Sequence, residues 1–482
     1  IDELWLEELS DLVLKNEDIR NHIIRSIKKR KKKREGMEIT ESYYWFPVYQ
    51  LLTFEAKAPH KIEDLTEYVE FYKHSLYKLD QSYRYINQYL LNKDKPKRAF
   101  SALYKEKLKP YLDRWFELFS NYRENQSDYL YREIFSKDER KAVIIGDAIS
   151  YEVSQEITSN FKDNKDYDIT SKIINGNHPT TTANNMSALF GSPYYNNRSK
   201  RESYLKDKLN NELQVLGLDN VDSQSIDSSK PAVIYGQDID AISEKGHETA
   251  LKYYNTFINT VVDKVKELLE AGYVEVHLLT DHGFVCNFDI DEADKYSAPV
   301  NDGKIKDRYV LSNKRKVDKE SFVVKETENG EYDYVYYPKG VDPIKSKQQY
   351  GFAHGGITPQ EILLPHLIFK KESSSSLDVK IVNKKQLKNI GASSFSIKFK
   401  AEGESDLFKT SRDIIVKIED GGRTTYKQEF TIEPSEEMKV DLTLDLNRYS
   451  ILIQDAVSKE IIDSVKGKKE NLRGGLDDFD LD

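Results

Sequence analysis

Apolar positions in the first 135 residues recur at helical spacing. In LWLEELSDLVLKNEDIRNHIIRSI, Leu6, Leu9, Val13, Ile19 and Ile23 fall near a 3.6-residue period. EDLTEYVEFYKHSLYKLDQSYRYINQYLL and KEKLKPYLDRWFELFSNY continue the style, with tyrosine and leucine sharing the apolar face. Such tyrosines pack a ring inside and keep a hydroxyl near water. The pattern predicts a helical region over residues 1–135.

The period changes at KAVIIGD (141–147), a compact β-branched run ending in Gly146-Asp147 and followed by helical YEVSQEITSNF. PAVIYGQDID (231–240) precedes a long amphipathic helix using Leu251, Tyr254, Ile258, Val261, Val265 and Leu268, and VEVHLLTDHGF (274–284) is a third strand. Strands that alternate with helices predict an α/β domain over 136–371, its mainly parallel sheet covered by helices on both faces. Residues 285–350 break the rhythm. SFVVKETENGEYDYVYY predicts a hairpin turning at Asn329-Gly330, so this stretch is an insertion or cap. GFAHGGITPQEILLPHLIF returns to the core, with Thr358, Pro359 and Glu361 placed as N-cap, N1 and N3 of a helix.

ESSSS (372–376) marks a linker. The short alternating runs LDVKIV, FSIKFKA, DIIVKIEDGG, YKQEFTIE, KVDLTLDL and YSILIQD predict an antiparallel β-sandwich over 377–466. Residues 467–482 have too few apolar positions to fold alone and are expected to form a disordered acidic tail. Within the tail, Phe479 and Leu481 are candidate anchors of a docking peptide.

Composition changes this picture in three ways. At 482 residues the chain needs several domains, and 38% hydrophobic residues suffice for their cores. No run of about 18 apolar residues predicts a membrane span. A single cysteine, Cys286, excludes an internal disulfide framework and fits a reducing, cytoplasmic setting. The acidic opening does not read as a signal peptide, and a start at Ile1 rather than Met leads us to expect further residues upstream. A net charge of −9 does not favour broad nucleic-acid binding, yet RSIKKRKKKR (25–34) holds eight basic residues in ten. That run is either a solvated helix end or a contact for phosphate backbone.

The candidate chemistry lies at the predicted strand ends. Asp147, Asp240 (with Asp238 nearby) and Asp281-His282 each follow an apolar run, and His354 precedes Gly355-Gly356. Functional groups in open α/β sheets gather beyond the carboxyl ends of strands. Carboxylates and imidazoles together suit Zn²⁺, with Mn²⁺ a competitor. Each residue also has a plain alternative: Asp147 as a helix cap, the Asp-His pair as a surface pair, His354 as a turn residue. HPTTTANNMSALFG (178–191) offers Thr182 at a helix start, either as an ordinary cap or as a nucleophile activated by the helix terminus and a metal.

Together these blocks resemble the PglZ family, a branch of the alkaline phosphatase superfamily. GDAISYEV, HPTTTANNMSALFG, LLTDHGF and AHGGITPQEILLPHLIF occur in the family's order, and KDRYVLSN (306–313) is a weaker fifth match. The resemblance implies an alkaline-phosphatase-like core and two divalent ions. One would be held by Asp147, Thr182, Asp281 and His282, and the other by Asp240, His354 and either Glu248 or His247, with Glu248 slightly preferred. It further implies a hydrolase of phosphate esters, most simply a phosphodiesterase acting on nucleotides or nucleic acid, with Thr182 as nucleophile. The family is associated with BREX-type phage defence, so other defence proteins are candidate partners. Ser150 and Gly236 stand where family members often carry Arg and His. Two rival readings are a non-catalytic scaffold that docks other defence components, and a phosphomonoesterase or mutase.

Overall fold

A computed structural model of the chain describes residues 17–34, 45–90, 94–136, 140–161, 166–192, 197–222, 226–236, 247–288, 290–316, 320–327, 331–346, 351–371, 377–402, 411–456, 459 and 461–469. The chain divides into two compact units. One comprises residues 1–164 and 169–370, the other 165–168 and 371–482.

The first unit opens with helices α1 (Glu17–Arg34), α2 (Trp45–Thr53), α3 (Leu65–Phe71), α4 (Tyr77–Tyr89) and α5 (Asp94–Leu118). The expected apolar spacing holds where it is described. Ile23 of α1 is buried, as are Leu79, Tyr83 and Ile86 of α4. Leu6, Leu9 and Val13 lie outside the described residues. Helix α4 packs against α2 and α5 on one side and against the α/β layer on the other. The buried Arg84 of α4 joins that layer through ion pairs to Glu152 (2.7 Å) and Glu156 (2.5 Å).

The α/β layer contains β1 (Lys141–Gly146), α6 (Tyr151–Ser159), β2 (Tyr167–Asn175), α7 (Thr182–Phe190), α8 (Arg198–Lys208), β3 (Gln214–Gly217), β4 (Ala232–Tyr235), α9 (His247–Glu270) and β5 (Glu275–Thr280). After β6 (Val285–Cys286) and the intervening stretch to residue 358, the one-turn helix α10 (Pro359–Ile362) leads into β12 (Leu363–Lys371). The six-stranded sheet has the order β2-β12-β5-β1-β4-β3. Strands β5, β1, β4 and β3 pair in parallel, and β12 pairs antiparallel with β5. All six residues of β1 are buried, which is why the central strand reads as an unbroken apolar run. One face of the sheet, with Val143, Ile145, Val233 and Leu279, packs on Met186, Leu189 and Phe190 of α7 and on Leu205 of α8. Helix α9 packs against β5 and α6.

The helix expected after Thr358 is confined to a single turn. Thr358 and Glu361 form the capping box, but the apolar LLPHLIF that follows is drawn into the sheet as β12. Within 285–350, β7 (Lys304–Ile305), β8 (Val310–Ser312), β9 (Phe322–Glu326) and β10 (Tyr334–Pro338) form a small sheet over Val300, Val310, Phe322, Tyr336 and Ile344. Strands β9 and β10 pair as the expected hairpin, and its Asn329-Gly330 turn lies outside the described residues. Strand β11 (Phe352–Ala353) pairs with β6.

The second unit holds β13 (Asp378–Ile381), β14 (Asn389–Ile390), β15 (Ser394–Glu402), β16 (Arg412–Asp420), β17 (Arg423–Ile432), β18 (Glu437–Thr443), β19 (Arg448–Asp455) and β20 (Ile461–Lys469). They form sheets β13-β15-β18 and β14-β20-β19-β16-β17, whose inward residues share one core that includes Val379, Phe399, Val416 and Ile451. This is the expected sandwich. Its last strand runs past the expected boundary to Lys469, because Gly467 and Lys468 pair with Tyr449 and Arg448. The ESSSS stretch and residues 470–482 lie outside the described residues.

Candidate metal centre

The register of the two central strands builds the site. Strand β1 lies parallel to β5 with Gly146 opposite Thr280, so the next residue of each, Asp147 and Asp281, leaves the sheet at the same edge. The turn after β1 is tight: a Cβ on Gly146 would lie 2.2 Å from Ile149 Cδ1. Thr280 ties the two strand ends together. Its Oγ1 accepts from the Ile149 amide (2.9 Å) and donates to the His282 carbonyl (2.8 Å).

Asp281 and His282 are fully buried, and Asp147 nearly so. Asp281 Oδ1 accepts from the amides of His282 (2.9 Å) and Ala148 (3.3 Å), and its Oδ2 lies 3.4 Å from His282 Nε2. Its backbone carbonyl accepts from Gln126 Nε2 (2.7 Å) and Asn185 Nδ2 (3.1 Å). Asp147 Oδ1 is 3.7 Å from the same His282 Nε2. His282 Nδ1 faces the Gly283 carbonyl at 3.0 Å, a contact that puts a donor proton on Nδ1 and leaves Nε2 with its lone pair toward the carboxylates. One donor atom from each of Asp147, Asp281 and His282 falls within 4.8 Å of the other two. Two carboxylate oxygens and one imidazole nitrogen, gathered in a buried place, fit a borderline divalent cation such as Zn²⁺ or Mn²⁺.

Thr182 Oγ1 completes this cluster, 3.2 Å from His282 Nε2. The capping role expected as its plain alternative belongs instead to Thr181, whose side chain accepts from the Asn184 amide. Thr182 is the first residue of α7, so its hydroxyl sits where the helix's leading amides favour negative charge.

The His-Gly-Gly segment reaches the same place. The His354 ring stacks on His282 with centroids 4.0 Å apart and planes 7° apart. His354 Nδ1 meets the Thr180 carbonyl at 2.7 Å, while Thr180 Oγ1 accepts from the Gly355 amide (2.7 Å) and donates to the Gly356 carbonyl (3.1 Å). Glu361, the N3 residue of α10, takes the Gly356 amide (2.7 Å) and is paired with Arg308 through two bonds of 3.1 and 3.0 Å. Arg308 also donates to the carbonyls of Asp342 and Gly340. Burial pushes the Glu361 carboxyl upward, but Arg308 and the Thr358 hydroxyl and amide outweigh it and hold it below its ordinary value. Asp307, one residue before Arg308, is pushed upward by burial against the opposing pull of Ser346 and His354.

The structure therefore brings together Asp147, Thr182, Asp281, His282 and His354. Asp240 lies outside the described residues. His247 and Glu248 open α9, and their side chains are likewise outside the description. Sequence reasoning missed Gln126, Asn185, Arg308 and Asp307. Asn185 stands in the threonine block, and Asp307 and Arg308 in KDRYVLSN. Gln126 carried no signal, because only the fold brings it to Asp281.

A family model described as the BREX system PglZ alkaline phosphatase-like domain matches residues 197–369. Over these residues the chain is similar to the PglZ family. The PglZ match contains Asp281, His282 and His354, whereas Asp147 and Thr182 precede it. The alkaline phosphatase-like protein PglZ of Bacillus cereus (strain H3081.97) is 26% identical over 280 residues, which are 50% of this chain and 32% of that protein. The chain thus spans about a third of the length of this PglZ relative. Among solved structures, murine ectonucleotide pyrophosphatase/phosphodiesterase 5, as an inactive form in complex with AMP, gives a TM-score of 0.33 at 8% identity, over 48% of this chain and 88% of that one. A second structure of the murine protein gives 0.32 at 9% identity, over 48% and 87%. Among the described residues, no helix is long and apolar enough to cross a membrane.

Proposed function

We propose that the chain is a metal-dependent phosphodiesterase acting on nucleotide or nucleic-acid phosphodiesters, with Thr182 as its nucleophile, in a BREX-type phage-defence setting. The observation that carries this reading is the meeting of Asp147, Asp281 and His282 donor atoms beside the Thr182 hydroxyl. The defence setting is supported by the description of the matching family. Asp147, Asp281 and His282, with Thr182, would hold one divalent ion; His354, with Asp240 and Glu248 or His247, would hold a second. Bound there, such ions supply Lewis acidity that favours the ionised threonine hydroxyl and offsets charge on the phosphoryl group.

The residues divide the work. Asp281 is fixed by amide donors on Oδ1, so Oδ2 keeps a set direction. His282 is fixed by the Gly283 carbonyl. Thr182 Oγ1 attacks phosphorus in line, forming the Oγ1–P bond as the bond to the ester leaving oxygen breaks. Water then attacks phosphorus of the threonine-linked phosphodiester, the Oγ1–P bond breaks as the new P–O bond forms, a phosphate monoester leaves, and a proton from the water restores the Thr182 hydroxyl. The N-terminus of α7 favours the negative charge that develops at Thr182.

The test is metal content after loading with Zn²⁺ or Mn²⁺, followed by turnover of bis-p-nitrophenyl phosphate and of the monoester. Bound ions with diester cleavage support the proposal. Cleavage of the monoester alone favours a phosphomonoesterase, and neither ions nor turnover favours a scaffold. Thr182→Ala is expected to lower diester turnover by at least about a thousandfold and to leave most bound metal in place. Wild-type rates in that variant would show the nucleophile to be another group.

A further inference from the structure

A cleft of about 740 Å³ opens between the helices of the first unit, and none of Asp147, Thr182, Asp281, His282 or His354 lines it. Its aromatic lining is Phe46, Tyr77, Tyr85 and Tyr89. Phe46 is 53% exposed and Tyr89 40% exposed, the reverse of what packing alone asks of large rings. The Tyr85 and Tyr89 rings lie nearly parallel, 6.0 Å apart. The lining also includes the amides Gln81, Gln155, Asn255 and Asn259. Gln155 Nε2 is buried and meets no acceptor among the described residues. Among the described residues, the only charged lining group is Glu156, which is engaged by Arg84 at 2.5 Å. Aromatic faces with amide edges and no cation suit flat, hydrogen-bonding heterocycles and not phosphate.

A run of cations lies on the helix that packs against α2, and Phe46 of α2 lines the cleft. The 25–34 run forms the second half of α1, with Ile23 and Ile27 turned inward and Arg25, Lys28 and Lys29 exposed. Eight basic residues thus sit on about 15 Å of helix. Helix α1 packs against α2. At its start Arg20 bonds Glu106, whose neighbour Lys107 donates to the Phe54 carbonyl just beyond the end of α2. Further along, Lys28 lies over the Tyr49 ring at 5.8 Å. Phe46, three residues before Tyr49 in α2, lines the cleft.

We propose that this face binds single-stranded nucleic acid, its bases against the ring-and-amide cleft and its phosphates along α1, as a holding site separate from the metal centre. Base stacking on exposed rings beside a basic track is the usual physics of single-strand binding. A duplex hides the base faces that the cleft would take. An anionic lipid surface would use the basic run and leave the cleft idle. The role of this face in feeding a substrate rests on the phosphodiesterase reading, but binding does not, so it is measured in EDTA with no turnover.

The probes are a fluorescein-labelled thymidine oligonucleotide of about 15 residues, its duplex, and phosphatidylserine vesicles, each followed across a range of salt. The oligonucleotide is expected to bind about tenfold more tightly than the duplex. F46A/Y89A is expected to weaken it about tenfold with the salt slope unchanged. R25Q/K28Q/K29Q is expected to flatten the slope by about 0.7 for each phosphate that is no longer neutralised. Y89A alone replaces the pair if F46A/Y89A alters the unfolding midpoint. Equal affinity for the duplex, insensitivity to the aromatic variants, or binding of vesicles but not of the oligonucleotide would each overturn the proposal.

Discussion

Arg308→Met tests the support beneath the His354 segment. The Arg308 guanidinium is fully buried and makes four bonds, two to Glu361 and one each to the Asp342 and Gly340 carbonyls. Methionine keeps an unbranched apolar stem but removes the guanidinium and every donor. It strands a buried carboxylate whose other partners are the Gly356 amide and the Thr358 amide and hydroxyl. Breaking one side of such a pair costs about 3–5 kcal/mol. In the wild type the Glu361 pKa is depressed, so its stabilising contribution is present above the ordinary carboxylate range and lost as pH falls through it. Without Arg308, the desolvation that already pushes this carboxyl upward is less opposed, and Glu361 becomes neutral at higher pH. The deficit of the variant should therefore be largest near pH 8 and shrink toward pH 5. Urea unfolding reads it, followed by fluorescence of Trp115, whose Nε1 donates to the Ile357 carbonyl in the same segment (2.9 Å), with Trp5 and Trp45 replaced by Phe in both proteins. The double variant Arg308→Met/Glu361→Gln should recover part of the loss, because a neutral amide can still accept from the neighbouring amides. A deficit below about 1 kcal/mol, or one that does not change with pH, would refute the reasoning.

Two further outcomes follow from the same structure. Asp80 is wholly buried and its pKa is raised to about 7 by burial, despite donors from Tyr104, Gln360 and Tyr72. Its favourable, protonated state is complete below the ordinary value of 3.8 and is lost as pH rises through about 7. Between pH 5 and 7 the wild type should lose about 1.4 kcal/mol per pH unit relative to Asp80→Asn, read from unfolding curves, and parallel curves would exclude this. Gly283→Ala would place a Cβ 2.0 Å from the Gln360 carbonyl oxygen, forcing His282 and its neighbours to move. It should cost at least about 2 kcal/mol and weaken metal binding, as read by unfolding with and without Zn²⁺; an unaltered metal-induced stabilisation would contradict it.

What could be read in advance had local causes. The central strand showed itself because every residue of KAVIIG is buried. The helix face of α9 showed itself because Leu251, Tyr254, Ile258, Val261, Val265 and Leu268 are all inward. Asp147 and Asp281 were legible as strand-end acids, and the parallel register of β1 and β5 is the reason they meet. Thr358 and Glu361 gave a correct helix start but not its length, because the demand of the sheet for LLPHLIF outweighed helix propensity. The carboxylate of Glu361 looked like a cap alone. Its second role needs Arg308, 53 residues away, and no local pattern encodes that pairing. Gln126, which reaches the Asp281 carbonyl over 155 residues, was hidden for the same reason.

The most direct test is a crystal of the Zn²⁺-loaded chain measured across the zinc absorption edge. The expected result is an anomalous peak at coordination distance from Asp147, Asp281 and His282, next to Thr182. A zinc peak bound elsewhere, with those three side chains left without one, would contradict the assignment of the metal centre.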